Sequence, residues 1–260
     1  MEKLITKLLI TLTVIFNLNI TSAQDYGNLQ YALSGYSYRS VGPAFMSGRI
    51  ADIAIDSNNE NVWYVAVGSG GVWKTKNAGT TWMPLTDNMP FYSTGSVTID
   101  PNDSSRIWVG TGENVAGRHV GIGHGIYLSK DSGSTWDNMG LKKSEHISKI
   151  IVHPDNSDII WVASQGPLWN SGGERGLFMS NDGGNTWSNK LYVNEWTGVT
   201  DIIIDPTNPD ILYAATWQRH RNVASLIDGG PGTSIYKSTD GGNVWVCLLY
   251  TSPSPRDGRE

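Results

Sequence analysis

The sequence carries a single cysteine, Cys247, only four phenylalanines, and no run of lysine or arginine. One cysteine excludes an internal disulfide and any site built from several thiolates. The net charge is −5 at pH 7. Without clustered cations, that balance excludes a nucleic acid or an anionic membrane surface as a partner held by a basic patch. No stretch keeps the apolar period of an amphipathic helix. Metal ligation finds no support: His119 and His124 stand five apart in a glycine-rich segment, and no cysteine joins them. Gly121-Ile122-Gly123 precedes a strand-like run rather than a helix, so it is no dinucleotide fingerprint. Neither a cofactor nor a metal is expected. What the chain does have is 30 Gly, 11 Trp and 11 Tyr, a composition that points to short strands and tight turns.

The two ends stand apart from the rest. Lys3 and Lys7 precede an apolar stretch from Leu8 to Ile20 that is too short for a stable span, and Thr21-Ser22-Ala23 supplies small residues for cleavage. Residues 1–23 are therefore expected to be a signal peptide, and residues 24–48 a segment leading into the fold. The implied location is secreted, periplasmic or cell-surface in a bacterium, with no membrane insertion after the signal is removed. At the other end, Val246 onward fits none of the pattern described next. Residues 246–260 read as a non-native read-through tail, which would make Cys247 foreign as well.

Between the ends, one eight-residue pattern occurs four times, as Ser/Thr-x-Asp/Asn-x-Gly-x-Thr-Trp. Its copies end at Trp82, Trp136, Trp187 and Trp245, spaced 54, 51 and 58 residues apart, with Val244 replacing Thr in the last. Upstream of each copy lies a β-type run with an aromatic (Trp73, Tyr127, Phe178, Tyr236). Further upstream is a run centred on Tyr64, Trp108, Trp161 or Tyr213, and before that an apolar run ending in Asp56, Asp100, His153 or Asp205. Each unit thus predicts four antiparallel strands, A to D, which is the grammar of a propeller blade. The expected fold is all-β: about four blades over 49–85, 96–141, 147–191 and 199–245, with the ring incomplete. In each pattern the Asp or Asn (Asn77, Asp131, Asp182, Asp240) can cap the C–D turn, and the Gly (Gly79, Gly133, Gly184, Gly242) can take positive φ. The Trp (Trp82, Trp136, Trp187, Trp245) can pack between sheets. Burying an indole would bring roughly 4–6 kcal/mol gross. These residues are read as structural.

The repeated pattern resembles the Asp-box, or BNR repeat, of sialidases, sortilin-type receptor domains and related propellers. The strings Tyr38-Arg39-Ser40-Val41-Gly42-Pro43, Ser47-Gly48-Arg49-Ile50, Gly110-Thr111-Gly112-Glu113-Asn114, Gln165-Gly166-Pro167-Leu168-Trp169 and Ala215-Thr216-Trp217-Gln218-Arg219 resemble large secreted bacterial Asp-box proteins. Those carry sortilin-like or glycosyl hydrolase labels. The resemblance implies further C-terminal blades and a binding module for a protein, peptide or glycan. Glycoside hydrolysis of sialidase or xyloglucanase type is the alternative. Xyloglucan-cleaving relatives carry an Asp before the paired glycines of the first unit, where this chain has Gly68-Ser69-Gly70-Gly71.

A site is expected on the face that gathers the B–C and D–A connections, opposite the Asp-boxes. Long B–C loops are predicted at 111–124, 164–175 and 216–233. The binding candidates are Glu113, Arg118, His119, Trp169, Arg175, Trp196, Trp217, Arg219 and Arg221, since aromatic faces stack on sugars and arginine clamps carboxylates. Hydrolysis would need two carboxyl groups. Glu113 is the candidate, and spacing leaves its partner open among Glu145, Glu174, Asp201 and Asp228.

Overall fold

The structure, a computed structural model, describes residues 48–249. The leader-like segment 1–23, Arg39 and nearly all of 24–48 lie outside the described residues, as does 250–260. Four antiparallel sheets follow one another along the chain. The first holds β1 (Ile50–Ile55), β2 (Trp63–Val67), β3 (Gly71–Thr75) and β4 (Met83–Pro84). The second holds β5 (Thr94–Asp100), β6 (Asp103–Thr111), β7 (Ile126–Ser129) and β8 (Asp137–Asn138). The third holds β9 (Ile147–His153), β10 (Asn156–Ser164), β11 (Gly176–Ser180) and β12 (Ser188–Leu191). The fourth holds β13 (Thr197–Ile204), β14 (Leu212–Arg221), β16 (Ser234–Ser238) and β17 (Val246–Cys247), with β15 (Leu226–Asp228) paired to the far end of β14. Spatial order matches chain order, and no α-helix occurs among the described residues. This is a partial β-propeller.

Local chemistry sets the turns. After each A strand a side chain accepts the N–H two residues on. Asp56, Asp100 and Asp205 do so through Oδ1 at 2.9, 2.9 and 2.8 Å, and His153 does the same through Nδ1 at 3.1 Å. Such Asx-type bonds substitute for a backbone turn contact. In the second Asp-box, Asp131 Oδ1 accepts from Thr135 N (2.8 Å) and Ser129 Oγ (2.8 Å), while Oδ2 accepts from Thr135 Oγ1 (2.6 Å). Asp182 repeats this set with Thr186 and Ser180. In the fourth box Val244 offers only its N–H, at 2.9 Å, so Asp240 lacks the threonine hydroxyl bond and keeps the one from Ser238 Oγ at 2.8 Å. The pKa values follow that difference. Asp131 and Asp182 are held down to about 2, chiefly by the threonine hydroxyls. Asp240 is lowered chiefly by the Val244 N–H.

The core lies between sheets. One apolar layer joins the first two sheets through Tyr64, Ala66, Val97 and Ile107. A second joins sheets two and three through Trp108, Leu128, Ile150 and Val162, and a third joins sheets three and four through Trp161, Leu177, Ile202 and Leu212. The B-strand aromatic of one unit meets the Asp-box of the next. Tyr64 donates from its hydroxyl to Ser132 O at 3.3 Å. The Trp108 ring sits against Gly184, and Trp161 against Gly242. Of the Asp-box tryptophans expected to pack between sheets, Trp136, Trp187 and Trp245 pack partly buried against these layers. Trp82 is 41% exposed, whereas Trp108 and Trp161 are fully buried. The box tryptophans lie at the margin of the apolar layers, as where Trp187 meets Trp108 edge-on at 6.5 Å.

Two further differences concern the fourth unit. The segment expected as a loop from 216 is strand as far as Arg221, with Arg219 paired to Asp228 and Arg221 to Leu226. Arg219, His220 and Arg221 lie opposite Asp228, Ile227 and Leu226, and neither strand alternates apolar with polar, so no period of two announces the hairpin. Val246 and Cys247, expected to start a foreign tail, pair with Lys237 and Tyr236 of β16. Backbone ladder bonds require only extended chain, which many sequences can supply.

Candidate ligand-binding face

The B–C connections 112–125, 165–175 and 222–233 emerge where β6, β10 and β14 end. The D–A connections bring Ser144 to His146 and Asn194 to Trp196 beside them. Main-chain bonds tie the set together: Gly123 N donates to Glu145 O at 2.8 Å, Gln165 N to His146 O at 2.9 Å, and Arg219 N to Trp196 O at 3.2 Å.

Glu113 stands just past the end of β6 and is 1% exposed. Its Oε2 accepts from Arg49 and its Oε1 from Ser69. Both carboxylate oxygens are thus engaged by the first unit. Glu113 was the acid candidate, but this geometry makes it a clamp joining the first B–C turn to the second rather than a free acid facing a cleft. Glu145 has φ +57° and is partly buried. Burial pushes its carboxyl up, opposed by Arg175 and Arg219.

The arginines divide into staples and one exception. Arg175 is buried and donates to the carbonyls of Gln165 (2.8 Å), Asn170 (2.8 Å), Gly172 (2.9 Å), Trp196 (3.4 Å) and Pro167, folding its own loop around itself. Arg221 reaches Ala116 O at 3.3 Å, and Arg118 reaches Val223 O at 3.1 Å, so the second and fourth units hold each other. Arg219 is 0% exposed and donates through Nη1 to Val115 O at 3.0 Å. Its Nε and Nη2 have no hydrogen-bond partner. Burial first, then Arg175, lowers its guanidinium to about 9. His146 is also buried, and its ring is lowered to about 3 by burial and then by Arg219, despite a hydrogen bond to the Glu113 backbone. It is neutral at neutral pH.

The aromatics cluster at the junction of units three and four. Trp196 and His220 have ring centroids 4.2 Å apart, and the Arg219 guanidinium lies 5.2 Å from the Trp217 ring centroid. Trp169 is 37% exposed, beside Leu168, whose carbonyl accepts from Arg221 N at 3.0 Å. His119 and His124 are exposed. Among the described residues no group of three His, Cys, Asp or Glu is placed to hold a metal.

Sequence reasoning passed over Arg49, Ser69, Asn114 and Gln165. Gln165 Nε2 donates to Asn114 O at 3.2 Å, and its Oε1 is buried without a partner. All four sit in strings quoted above, but strand spacing does not say which loops meet. Tyr92, also unforeseen, is exposed over a cleft of about 350 Å³ with Gly70, Thr86, Asp87 and Phe91.

Residues 124–252 match the family model described as sortilin, neurotensin receptor 3. Among curated proteins, a xyloglucanase from a Paenibacillus species is 26% identical over 82% of this chain and 22% of its own length. An oligoxyloglucan-reducing end-specific xyloglucanase from Emericella nidulans is 24% identical over 77% of this chain and 24% of its own length. The chain spans about a quarter of the length of these relatives. Among solved structures, an ancestral GH74 enzyme superposes with a TM-score of 0.60 at 22% identity, over 81% of this chain and 25% of that one. The Niastella koreensis GH74 enzyme superposes at 0.57 and 23% identity, over 77% of this chain and 29% of that one. These likenesses show the propeller fold.

Proposed function

We propose that this chain is part of a glycan-active propeller of the xyloglucanase kind, and that its B–C face holds the polysaccharide. The observation that carries the reading is three indoles on the loops of units three and four among polar side chains: Trp196 against His220, Trp217 beside the Arg219 guanidinium, and Trp169, which is 37% exposed. Flat aromatic faces suit the apolar face of a pyranose ring. The xyloglucanase relatives support the same substrate class. Within this portion Glu113 positions loops, because its carboxylate is committed to Arg49 and Ser69. Its neighbour Ser69 stands where the xyloglucan-cleaving resemblance places an acid, so the role proposed for these four units is holding the chain of sugars. Export through the leader-like segment belongs to the same proposal, since a polysaccharide of this kind is met outside the cell.

A second reading, a peptide- or protein-binding module, is favoured by the sortilin-model match over 124–252. Affinity electrophoresis in gels containing xyloglucan separates the two. Retardation that is lost in Trp196→Ala and Trp217→Ala supports the glycan reading. Unchanged mobility of the wild-type chain sinks it.

A further inference from the structure

Where one unit meets the next, the B-strand aromatic is seated on the following Asp-box, and the first junction shows how the seat is gripped. Tyr64 and Lys74 stand opposite each other on β2 and β3, and both donate to the carbonyl of Ser132 in the second box, at 3.3 and 3.0 Å. The Lys74 ammonium lies 4.7 Å from the Tyr64 ring centroid, and both side chains are buried. The fourth unit repeats this pair. Tyr213 and Lys237 stand opposite each other on β14 and β16, with the ammonium 5.4 Å from the ring centroid. An A-strand aspartate bears on each lysine, Asp56 on Lys74 and Asp205 on Lys237. Tyr213 and Lys237, however, are half-exposed and meet no box among the described residues.

The surroundings of the pair are those of an open junction. Ile203, Tyr213, Lys237 and Val246 lie directly opposite one another across the fourth sheet and so share a face. The alternate row, Ile202, Ala214 and Tyr236, packs on sheet three. Ile203 and Val246 are exposed. Beside them lies a cleft of about 390 Å³ lined by Lys237, Thr239, Asp240, Val244, Val246 and Leu248. At the other end of the array the first box has no unit seated on it among the described residues. Gly133, Gly184 and Gly242 are buried, whereas Gly79 is half-exposed. Ala78 holds the place of Ser132 with the same left-handed backbone, φ +51° against +59°, and is exposed. Ile53 and Ile55, off the Tyr64 row and on the side away from the second unit, are exposed as well.

We propose that Tyr213 and Lys237 form a clamp for an Asp-box turn, and that its occupant is the first box of a second copy of this chain. Each copy carries one clamp without a box and one box without a clamp. Two copies about a two-fold axis therefore satisfy both open ends with one contact made twice. Head-to-tail contacts of this kind close a ring when the rotation fits. Two copies bring twice the four sheets, the upper end of the about four to eight blades that propellers commonly use. The clamp offers an ammonium and a phenol hydroxyl to the Ala78 carbonyl, as Lys74 and Tyr64 do to Ser132, and a charged donor strengthens such a bond. The apolar rows, Ile203 and Val246 on one side and Ile53 and Ile55 on the other, leave water together. The assembly uses sheet faces and is independent of what the loop face binds.

Sedimentation velocity of the full chain across micromolar concentrations tests the proposal. A concentration-dependent species of two copies is expected. Lys237→Glu alters the clamp, and Ala78→Arg places a second cation at the box turn that faces it. Each should weaken association at least about tenfold, while the far-UV spectrum stays that of the wild-type chain. Mixing these two variants leaves one contact with its native clamp and box and sets the introduced acid against the introduced base at the other, so the two-copy species should return. Tyr213→Ser keeps every charge and should also weaken association. A chain that stays monomeric overturns the proposal and leaves the clamp to a unit outside this polypeptide. Association that is untouched by Lys237→Glu, Ala78→Arg and Tyr213→Ser overturns it too, as does a mixture that fails to recover. Assemblies that grow beyond two copies contradict the closed pair.

Discussion

Gly184 and Trp108 give the sharpest test of how neighbouring units are joined. Gly184 has φ +90°, and a Cβ built on it would lie 2.6 Å from the Trp108 ring. Gly184→Ala therefore faces two penalties. A left-handed alanine costs about 1–2 kcal/mol, and overpacking a closed core costs about 1–3 kcal/mol, so the substitution should destabilise by about 2–5 kcal/mol. Trp108→Ala removes a fully buried indole and should cost about 3–5 kcal/mol. In the Trp108→Ala background the clash has gone and only the backbone cost remains. The double variant should then be more stable than the sum of the single losses by about 1–3 kcal/mol, a coupling that contacting residues commonly show. Urea unfolding of the four proteins, followed by tryptophan fluorescence, reads the cycle. Additive losses would refute the claim that the B-strand aromatic of one unit is seated on the box of the next.

Three further outcomes are expected. Val244→Thr restores the hydroxyl that Asp131 and Asp182 receive from Thr135 and Thr186; NMR titration should find the Asp240 carboxyl lowered further than in the wild-type chain, and an unchanged titration would contradict the hydroxyl as the cause. His146 is held near 3 in the fold against about 6.5 unfolded, so below pH 6.5 the unfolded chain takes up a proton that the fold refuses. Its contribution is complete above pH 6.5 and falls as pH drops toward 3, by up to about 1.4 kcal/mol per pH unit; stability measured from pH 7 to 4 should show a shallower slope in His146→Gln. Glu113→Gln should destabilise by about 1–3 kcal/mol, less than a fully buried pair because the Arg49 side chain is half exposed, and a melting temperature equal to wild type would remove Glu113 as a clamp.

Periodicity made the fold legible. A turn residue, a glycine and a tryptophan recurring at near-constant spacing need only local physics to be read, because capping and left-handed backbone are properties of a few adjacent residues. The A-strand termini show the same rule, with His153 serving as a fourth acceptor beside three aspartates. What the pattern could not disclose was which face of each aromatic meets which neighbour. Trp108 and Trp187 look equally suited to burial in sequence, yet the B-strand position is enclosed by two sheets and the box position lies at a margin. The site was legible as a list of residue types and much less so as roles. Arg175 and Arg219 both fall in segments that the spacing assigns to B–C loops, but Arg175 wraps its own loop carbonyls while Arg219 sits in β14 with Nε and Nη2 unpartnered. Glu113 looked like an acid because its partners, Arg49 and Ser69, lie 64 and 44 residues away in sequence.

Whether this face holds a polysaccharide is decided by one titration. A xyloglucan oligosaccharide is added to the full chain and to Trp217→Ala in a calorimeter, with melting curves confirming that both are folded. Measurable binding by the wild-type chain, weakened at least about tenfold by the loss of the indole, is the expected result. No binding by the folded wild-type chain, or equal affinity in Trp217→Ala, would contradict a glycan-holding role for the indole cluster.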